Sequence, residues 1–378
     1  MTRSLVITAQ PDSHFPIYNK EFFMSLKRFA AALLAAAAII CGQGAAQAQP
    51  VSFGIISTES SVNLKKAWDP FINAMKEKTG LDVRAYFASD YAGIIEAMRF
   101  GKVDFAWIGN KGDIEMVDRS GGEVFAQVVG KDGTHGYYSY LIVNKKSRYQ
   151  TVDEVLKDAK NLVFSNGDPN STSGYLVPGY YIFGQRGLDP KKIFKRTLNA
   201  SHEANGLAVA NGKADVATFN SEAMGRLTIT QPAKAQELRV VWKSPLIPGD
   251  PLVWRKNLDQ ATKDKIKSFV LSYGKGANAE AEMKVLNSLQ WSGFIPSSDR
   301  QLDSVRVLEY FRQKSKIQDS DMPADEKKAK IAEIDEQCQD PAIAVNSAKL
   351  NELGSERAVF SEKLEALYEQ WEVLSEDS

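Results

Sequence analysis

Short apolar runs and helix-like spacings alternate along the chain. The run 51–56 is rich in β-branched residues and predicts a first strand, and apolar residues spaced by three or four then predict a helix that ends at Gly80. Predicted strands over 83–87 and 104–108 flank a second predicted helix over 91–100. Alternating strands and helices indicate an α/β protein with a largely parallel sheet.

The alternation is interrupted twice. It stops at 137–144, a strand-like run with little helix after it, and resumes as a second α/β unit over 152–242. In that unit a helix is predicted over 174–185, where Pro178 is tolerated because it lies in the early turns. The segment 246–254 carries two prolines and a glycine between apolar residues and predicts a return crossing. Two α/β lobes joined by two crossing strands leave a cleft, the usual place for a small-molecule site.

From residue 261 onward the apolar spacing is helical, and the end of the chain is rich in charge. The predicted limits are 49–140 and 244–314 for the two parts of a first lobe, 141–243 for a second lobe and 315–378 for a helical carboxy-terminal extension. Amphipathic spacing in the extension favours packed or projecting helices over disorder. A docking arm, a dimerisation element and a cover for the carboxy-terminal lobe all fit its pattern.

Residues 24–48 have the composition of a secretion signal. A second methionine start and two cations precede the apolar run 29–40, which at 12 residues is too short to span a bilayer as a helix. The small residues after it predict cleavage after Ala48 and export to the periplasm, so residues 1–23 are predicted to be an over-extended start. A lipoprotein anchored through Cys41 is the alternative, disfavoured because isoleucines rather than small residues precede the cysteine.

Composition argues against several classes of function. The chain balances 47 cations against 47 anions, which argues against nucleic acid as a partner. The sequence contains neither the glycine motifs of nucleotide-binding proteins nor the nucleophile elbow of hydrolases. After cleavage, the remaining histidines would be His135 and His202 and the remaining cysteine Cys338, so no metal site and no disulfide is predicted. We therefore predict a protein with no cofactor and no enzymatic activity.

The segment 166–174 is the most informative one for chemistry. A Pro-Asn turn leads into three consecutive hydroxyl residues, Ser171, Thr172 and Ser173, and then into the predicted helix. The first N–H groups of a helix lack intrahelical partners and its dipole is positive at that end, so this arrangement favours an anion. An ordinary capping turn is the alternative interpretation.

Three further residues stand out less. His202 is a lone histidine, and such histidines are more often structural than functional. Asp250 lies within a Pro-Gly-Asp-Pro sequence at the predicted crossing, where a carboxylate faces a cleft readily, although a solvated turn aspartate fits equally. Glu222 is one acid among many, and spacing alone does not single it out.

Four segments of the chain resemble those of a known family. They cover residues 53–60, 90–95, 167–174 and 242–251 and occur in the family's order. The family is that of the phosphonate-binding proteins of bacterial phosphonate ABC importers, and the resemblance is weak in the charged extension. It implies a two-lobed periplasmic binding fold, similar to type II, that closes on its ligand in a cleft at a two-strand hinge.

The resemblance also implies which residues contact the ligand. The phosphonate oxygens would meet Tyr91, Tyr137, Ser171, Thr172, Ser173 and His202, and each position has the family's residue type. The ammonium group of 2-aminoethylphosphonate, the substrate that the family favours, would meet Glu222 and Asp250. A membrane permease and an ATPase would be the protein partners. The alternative is a sensor module of the same fold that reports its ligand to a membrane receptor.

Such a site would be selective for charge at both ends of the ligand. Hydroxyls, a helix start and an imidazole replace the water that a phosphonate loses. Two carboxylates penalise any ligand without a cation, because their charges then stay buried and unpaired. The expected order of affinity is 2-aminoethylphosphonate, then simple alkylphosphonates, then phosphate.

Overall fold

The computed structural model describes residues 50–341 and residue 343. In this part of the chain there are thirteen strands, twelve α-helices and a few shorter helical turns. The strands are β1 (Val51–Ile55), β2 (Val83–Phe87), β3 (Phe105–Trp107), β4 (Gly122–Gly130), β5 (Gly136–Tyr137), β6 (Ser139–Asn144), β7 (Val163–Asn166), β8 (Arg196–Asn199), β9 (Val216–Asn220), β10 (Leu238–Lys243), β11 (Ile247–Pro248), β12 (Pro251–Arg255) and β13 (Trp291–Pro296). The helices are α1 (Ser61–Thr79), α2 (Tyr91–Arg99), α3 (Asn110–Arg119), α4 (Val152–Lys157), α5 (Pro190–Ile193), α6 (His202–Ala210), α7 (Ser221–Thr230), α8 (Pro232–Ala235), α9 (Gln260–Ser272), α10 (Ala279–Leu289), α11 (Asp303–Gln318) and α12 (Ala324–Gln337).

The first lobe is built on a six-stranded sheet in the order β13-β4-β12-β3-β1-β2. Strand β1 runs parallel to both of its neighbours, β2 and β3. Strand β12 runs antiparallel to β3 and β4, and β13 runs antiparallel to β4. The prediction of a largely parallel sheet is therefore wrong, because the chain returns from the second lobe in the opposite direction.

The second lobe has a five-stranded sheet in the order β10-β6-β9-β7-β8. Strand β7 runs parallel to β8 and β9, and β6 runs antiparallel to β9 and β10. Helices connect successive strands in both lobes. The predicted α/β class with two lobes is confirmed.

Two chain crossings form the hinge between the lobes. Strands β5 and β11 pair antiparallel, with Tyr137 opposite Ile247 and Gly136 opposite Pro248. Strand β11 lies in the segment 246–254, which the sequence predicts as a return crossing. A Cβ atom at Gly136 would lie 2.2 Å from the carbonyl oxygen of Ile247, so the close approach of the strands requires glycine there.

An aromatic cluster forms the centre of the first lobe. Trp68 of α1 is fully buried, with its ring centroid 5.2 Å from that of Phe53 and 5.4 Å from that of Trp291. The ring of Trp107 lies 5.2 Å from the same indole. Edge-to-face contacts of this kind add about 0.5–1.5 kcal/mol each to the burial of the rings. The cluster places Trp107 and Trp291 beneath the cleft, where both reach the site described below.

The second lobe has a separate core around Phe164 of β7, which stacks on Phe194 at a centroid distance of 4.7 Å. Leu302, Val305 and Leu308, at the start of α11, belong to the same core. Helix α11 thus packs on the second lobe, and its Arg306 also pairs with Asp118 of α3 in the first lobe at 2.7 Å. The lobe limits predicted from the sequence stay predictions.

Two elements differ from the sequence expectation. Strand β13 lies in the region predicted to be helical from 261 onward, and the prediction is wrong there because periodicity alone does not separate a short apolar strand from a helix. The predicted helix 174–185 is present as two π-helical segments, Thr172–Leu176 and Gly179–Phe183. Pro178 lies between them, and its missing N–H prevents a continuous α-helical hydrogen-bond ladder.

The predicted secretion signal, its cleavage site, Cys41 and the chain from 344 to 378 lie outside the described residues. The predicted extension begins at residue 315, so its described part holds the last residues of α11 and helix α12. Over the ranges that the structure describes, no helix is long and apolar enough to cross a membrane. In the same ranges, no three His, Cys, Asp or Glu side chains are grouped so that they could hold a metal ion.

Candidate functional site

A polar cavity lies between the two lobes beside the hinge. It receives side chains from both lobes. The cavity is lined by every residue that the resemblance implied as a ligand contact: Tyr91, Tyr137, Ser171, Thr172, Ser173, His202, Glu222 and Asp250. Positions far apart in the sequence therefore meet at one place.

The three hydroxyl residues lie where β7 is followed by the first π-helical segment. Ser171 caps that segment, because its Oγ accepts the N–H of Gly174 at 2.9 Å. Thr172 Oγ1 accepts the backbone N–H of Lys111 at 2.9 Å, which ties this region to α3 of the first lobe. A Cβ atom at Gly167 would lie 2.6 Å from backbone atoms of Gly174, so glycine is required for the strand end and the helical start to meet.

His202 points its Nε2 atom at the hydroxyl residues. Nε2 lies 3.4 and 3.5 Å from two of their oxygens and 3.2 Å from Nδ2 of Asn220. Asn220 Oδ1 accepts the N–H of Ala223 at 2.6 Å, which orients the amide so that its NH₂ group faces the imidazole. Burial, together with the positive charge of Arg226, lowers the pKa of His202 to about 3. The imidazole is therefore neutral at physiological pH.

Replacing His202 with asparagine is expected to change how stability depends on pH. The pKa of His202 is about 3 in the folded protein against 6.5 normally, so below pH 6.5 the unfolded state binds the additional proton. The stability due to neutral His202 is present above pH 6.5 and is lost toward pH 3 by up to about 1.4 kcal/mol per pH unit. Urea unfolding of wild type and H202N measures this difference. A constant offset between the two free energies from pH 7 to about pH 4 would contradict it.

The two tyrosines are buried phenols. Tyr91 begins α2, and its backbone N–H donates to Oδ2 of Asp168 at 3.2 Å. Tyr137 lies on the hinge strand β5. Burial raises the pKa of both hydroxyls well above the usual value, and the nearby Asp250 raises it further. Both groups therefore keep their protons and can donate hydrogen bonds to an anion.

The two carboxylates come from different lobes. Glu222 lies in the first turn of α7, and its Oε1 accepts the indole N–H of Trp291 at 2.9 Å. Asp250 precedes β12, and its backbone carbonyl accepts the N–H of Val128 at 3.0 Å. Burial raises the pKa of both carboxyls, and the charge of Glu222 raises that of Asp250 further. A cation close to either carboxyl would favour its charged form.

Arg226 is a lining residue that the sequence analysis did not predict. Its Nε lies 2.5 Å from Oε1 of Glu59, and its Nη1 lies 3.8 Å from Oε2 of Glu222. Arg226 and Glu222 are buried, with 7% and 8% of their side chains exposed, and Glu59 is mostly covered, with 12% exposed. The four-residue spacing of Glu222 and Arg226 is a signal that could have found it. The other unpredicted lining residues are Ile56, Thr58, Trp107, Gly109 and Asn220.

Several buried polar atoms of the cavity wall have no hydrogen-bond partner within the described part of the chain. They are Thr58 Oγ1, Trp107 Nε1, His202 Nδ1 and Asp250 Oδ1. An unpaired buried polar group costs about 1–3 kcal/mol, so native structures rarely keep several together unless another molecule satisfies them. The set includes donors and an ionisable acceptor. It fits a small ligand that carries both kinds of polar group.

Two solved structures share this fold. A binding protein component of an ABC phosphonate transporter from Pseudomonas aeruginosa is 55% identical, with a TM-score of 0.72 over 82% of this chain and 99% of that chain. A Prochlorococcus marinus protein solved in complex with methylphosphonate shares the fold at 21% identity, with a TM-score of 0.61 over 69% of this chain and 97% of its own. The fold and the interlobe cavity define a two-lobed periplasmic binding protein, as predicted.

Sequence comparison defines the family more closely. The family described as "ABC transporter, phosphonate, periplasmic substrate-binding protein" matches residues 53–302. The phosphonates-binding periplasmic protein of Escherichia coli strain K12 is 51% identical over 295 residues, which are 78% of this chain and 86% of that protein. The chain belongs to this family of phosphonate-binding periplasmic components of ABC transporters. Its relatives are transport proteins, which confirms the predicted family and the prediction that the chain is not an enzyme.

Proposed function

We propose that the protein binds 2-aminoethylphosphonate in the interlobe cavity and delivers it to the permease of an ABC importer. The observation that carries this proposal is the polarity of the cavity, which combines protonated hydroxyls and a neutral imidazole with a carboxylate pair that lacks positive charge. A ligand with an anionic group at one end and a cationic group at the other matches both parts.

The hydroxyl residues support the phosphonate part of the proposal. A hydroxyl group has one proton to donate and two lone pairs to accept. The oxygens of Ser171 and Thr172 already accept backbone N–H groups, and the oxygen of Ser173 accepts Nδ2 of Asn220 at 3.1 Å. Each of the three oxygens thus already accepts one hydrogen bond from the protein, and each O–H proton can be donated to an anion that enters the cavity. Tyr91 and Tyr137 add two further protonated hydroxyls.

The carboxylates support the ammonium part. Glu222 and Asp250 are both buried, and Arg226 is the single guanidinium that lines the cavity within the described residues. A buried carboxylate without a counter-charge carries a desolvation cost of several kcal/mol, by an order-of-magnitude estimate. The ammonium group of the ligand offsets that cost, whereas a methyl group at the same position does not. Discrimination against phosphate and simple alkylphosphonates follows from this difference.

Calorimetric titration of the ligand-free protein tests the proposal. We expect the affinity for 2-aminoethylphosphonate to exceed that for ethylphosphonate, which lacks only the amino group, and phosphate to bind most weakly. Equal affinities for the three ligands would contradict the proposed specificity. Uptake of labelled 2-aminoethylphosphonate by cells with and without the protein tests delivery, and uptake that persists unchanged without it would favour a sensor.

A further inference from the structure

Arg226 forms an ion pair that spans the cleft. It lies on α7 of the second lobe, whereas Glu59 lies in the turn between β1 and α1 of the first lobe. Besides the contact of its Nε with Glu59 at 2.5 Å, its Nη1 donates to the carbonyl oxygen of Leu289 at 3.4 Å, also in the first lobe. Arg226 therefore extends from the second lobe and makes these two contacts with the first lobe.

Glu59 and Glu222 share Arg226 unequally. The guanidinium contacts Glu59 at 2.5 Å but lies 3.8 Å from Glu222, beyond ordinary hydrogen-bond length. The indole N–H of Trp291 donates to the other carboxylate oxygen of Glu222. Trp291 therefore orients the Glu222 side chain, whereas Arg226 is the group that could neutralise its charge. One cation thus lies between the carboxylates of Glu59 and Glu222, and Asp250 is a third acid in the cavity wall.

We propose that Glu59 is a specificity-determining residue: by drawing Arg226 across the cleft, it leaves Glu222 without a full counter-charge, which the ligand's ammonium group then supplies. This inference rests on the proposed function. Arg226 and Glu222 are four residues apart on one helix, a spacing at which an arginine readily pairs with a glutamate. Without Glu59, Arg226 turns to Glu222 and the ammonium group loses its role.

The same contact links charge recognition to lobe closure. The Glu59 contact requires both lobes, whereas the Glu222 contact requires only α7. In an open form Arg226 pairs with Glu222, and closure transfers it to Glu59 and presents the Glu222 carboxylate to the ligand. A ligand that supplies an ammonium group at that point favours the closed state by its differential contacts.

The variant Glu59→Gln tests this inference, because glutamine keeps the size of the side chain and removes its charge. The quantity to measure is the ratio of the dissociation constants for ethylphosphonate and 2-aminoethylphosphonate. We expect E59Q to lower this ratio by about tenfold or more, the scale of a buried charge contact, while ethylphosphonate binds as well as before or better. Glu59→Asp keeps the charge and should retain most of the ratio.

Glu203→Gln is the matched control. Glu203 also joins the lobes, since its carboxylate accepts the N–H of Ser60 at 2.8 Å and Nδ2 of Asn63 at 2.6 Å, but it does not line the cavity. It should affect both ligands alike and leave their ratio unchanged. A wild-type ratio near one overturns the proposed function and this inference together. A high wild-type ratio that E59Q preserves, or that E203Q lowers as much as E59Q, overturns this inference alone.

Discussion

Glu222→Gln is expected to weaken the binding of 2-aminoethylphosphonate by about 30-fold to 5,000-fold, the effect of about 2–5 kcal/mol found when one partner of a buried charge pair is removed. Glutamine fills the same space, and its amide oxygen can still accept the indole N–H of Trp291, which lies 2.9 Å from Oε1 of Glu222. The loss therefore reports the missing charge. Isothermal titration calorimetry at pH 7 measures it directly.

Ethylphosphonate is the control ligand for Glu222→Gln. It has the same anionic group and carbon skeleton but no ammonium group, so its affinity should stay nearly constant or rise once a buried carboxylate is gone. An equal loss for both ligands would mean that Glu222 supports the structure of the cavity as a whole. It would contradict the assignment of the carboxylates to the ammonium end.

Ser173→Ala is expected to weaken the binding of both 2-aminoethylphosphonate and ethylphosphonate. The Ser173 hydroxyl accepts Nδ2 of Asn220 at 3.1 Å and offers its own proton to the proposed phosphonate. Removing one hydrogen bond to a charged group costs about 1.5–3 kcal/mol, so binding should weaken by about 10-fold to 150-fold. Because both ligands carry the phosphonate group, their affinities should fall together and the preference for the amino group should remain.

Ser165→Ala is the matched control for Ser173→Ala. Ser165 is also a buried serine of the second lobe, but its hydroxyl donates to Oδ1 of Asn205 at 2.6 Å and does not line the cavity. This variant should leave both affinities unchanged, whatever it does to stability. Ser173→Ala variants with wild-type affinity for both ligands would contradict the role given to the hydroxyl residues.

The sequence predicts the anion end of the cavity well because the relevant information is local. A turn, three hydroxyls and a helical start follow one another over 166–174, so their geometry depends on neighbours in the chain. The return crossing over 246–254 is predictable for the same reason, because its prolines and glycine are neighbours in the sequence and indicate an irregular segment. The structure brings both segments to the same cavity.

The sheet is less predictable because its pairing is not local. No strand is predicted over 122–130, because apolar and polar residues do not alternate cleanly there, and β13 lies in a region predicted to be helical. Strand β4 pairs with β12 and β13, which the chain forms only after it has returned from the second lobe. Because β12 and β13 run antiparallel to their neighbours, the sheet is mixed and not largely parallel.

Arg226 shows the same limit within the site. Its partner Glu59 is 167 positions away, and no pattern of spacing joins two residues whose contact exists only where the lobes meet. The resemblance to the family covered the segment that contains Glu59 but assigned it no contact. Only the distances from Arg226 to Glu59 and to Glu222 in the folded protein show that the two carboxylates share one cation.

A crystal structure of the protein with bound 2-aminoethylphosphonate tests the account most directly. We expect the phosphonate oxygens within hydrogen-bond distance of the hydroxyls of Ser171, Thr172 and Ser173, and the ammonium nitrogen between the carboxylates of Glu222 and Asp250. A ligand bound in the reverse orientation, or outside the interlobe cavity, would contradict it.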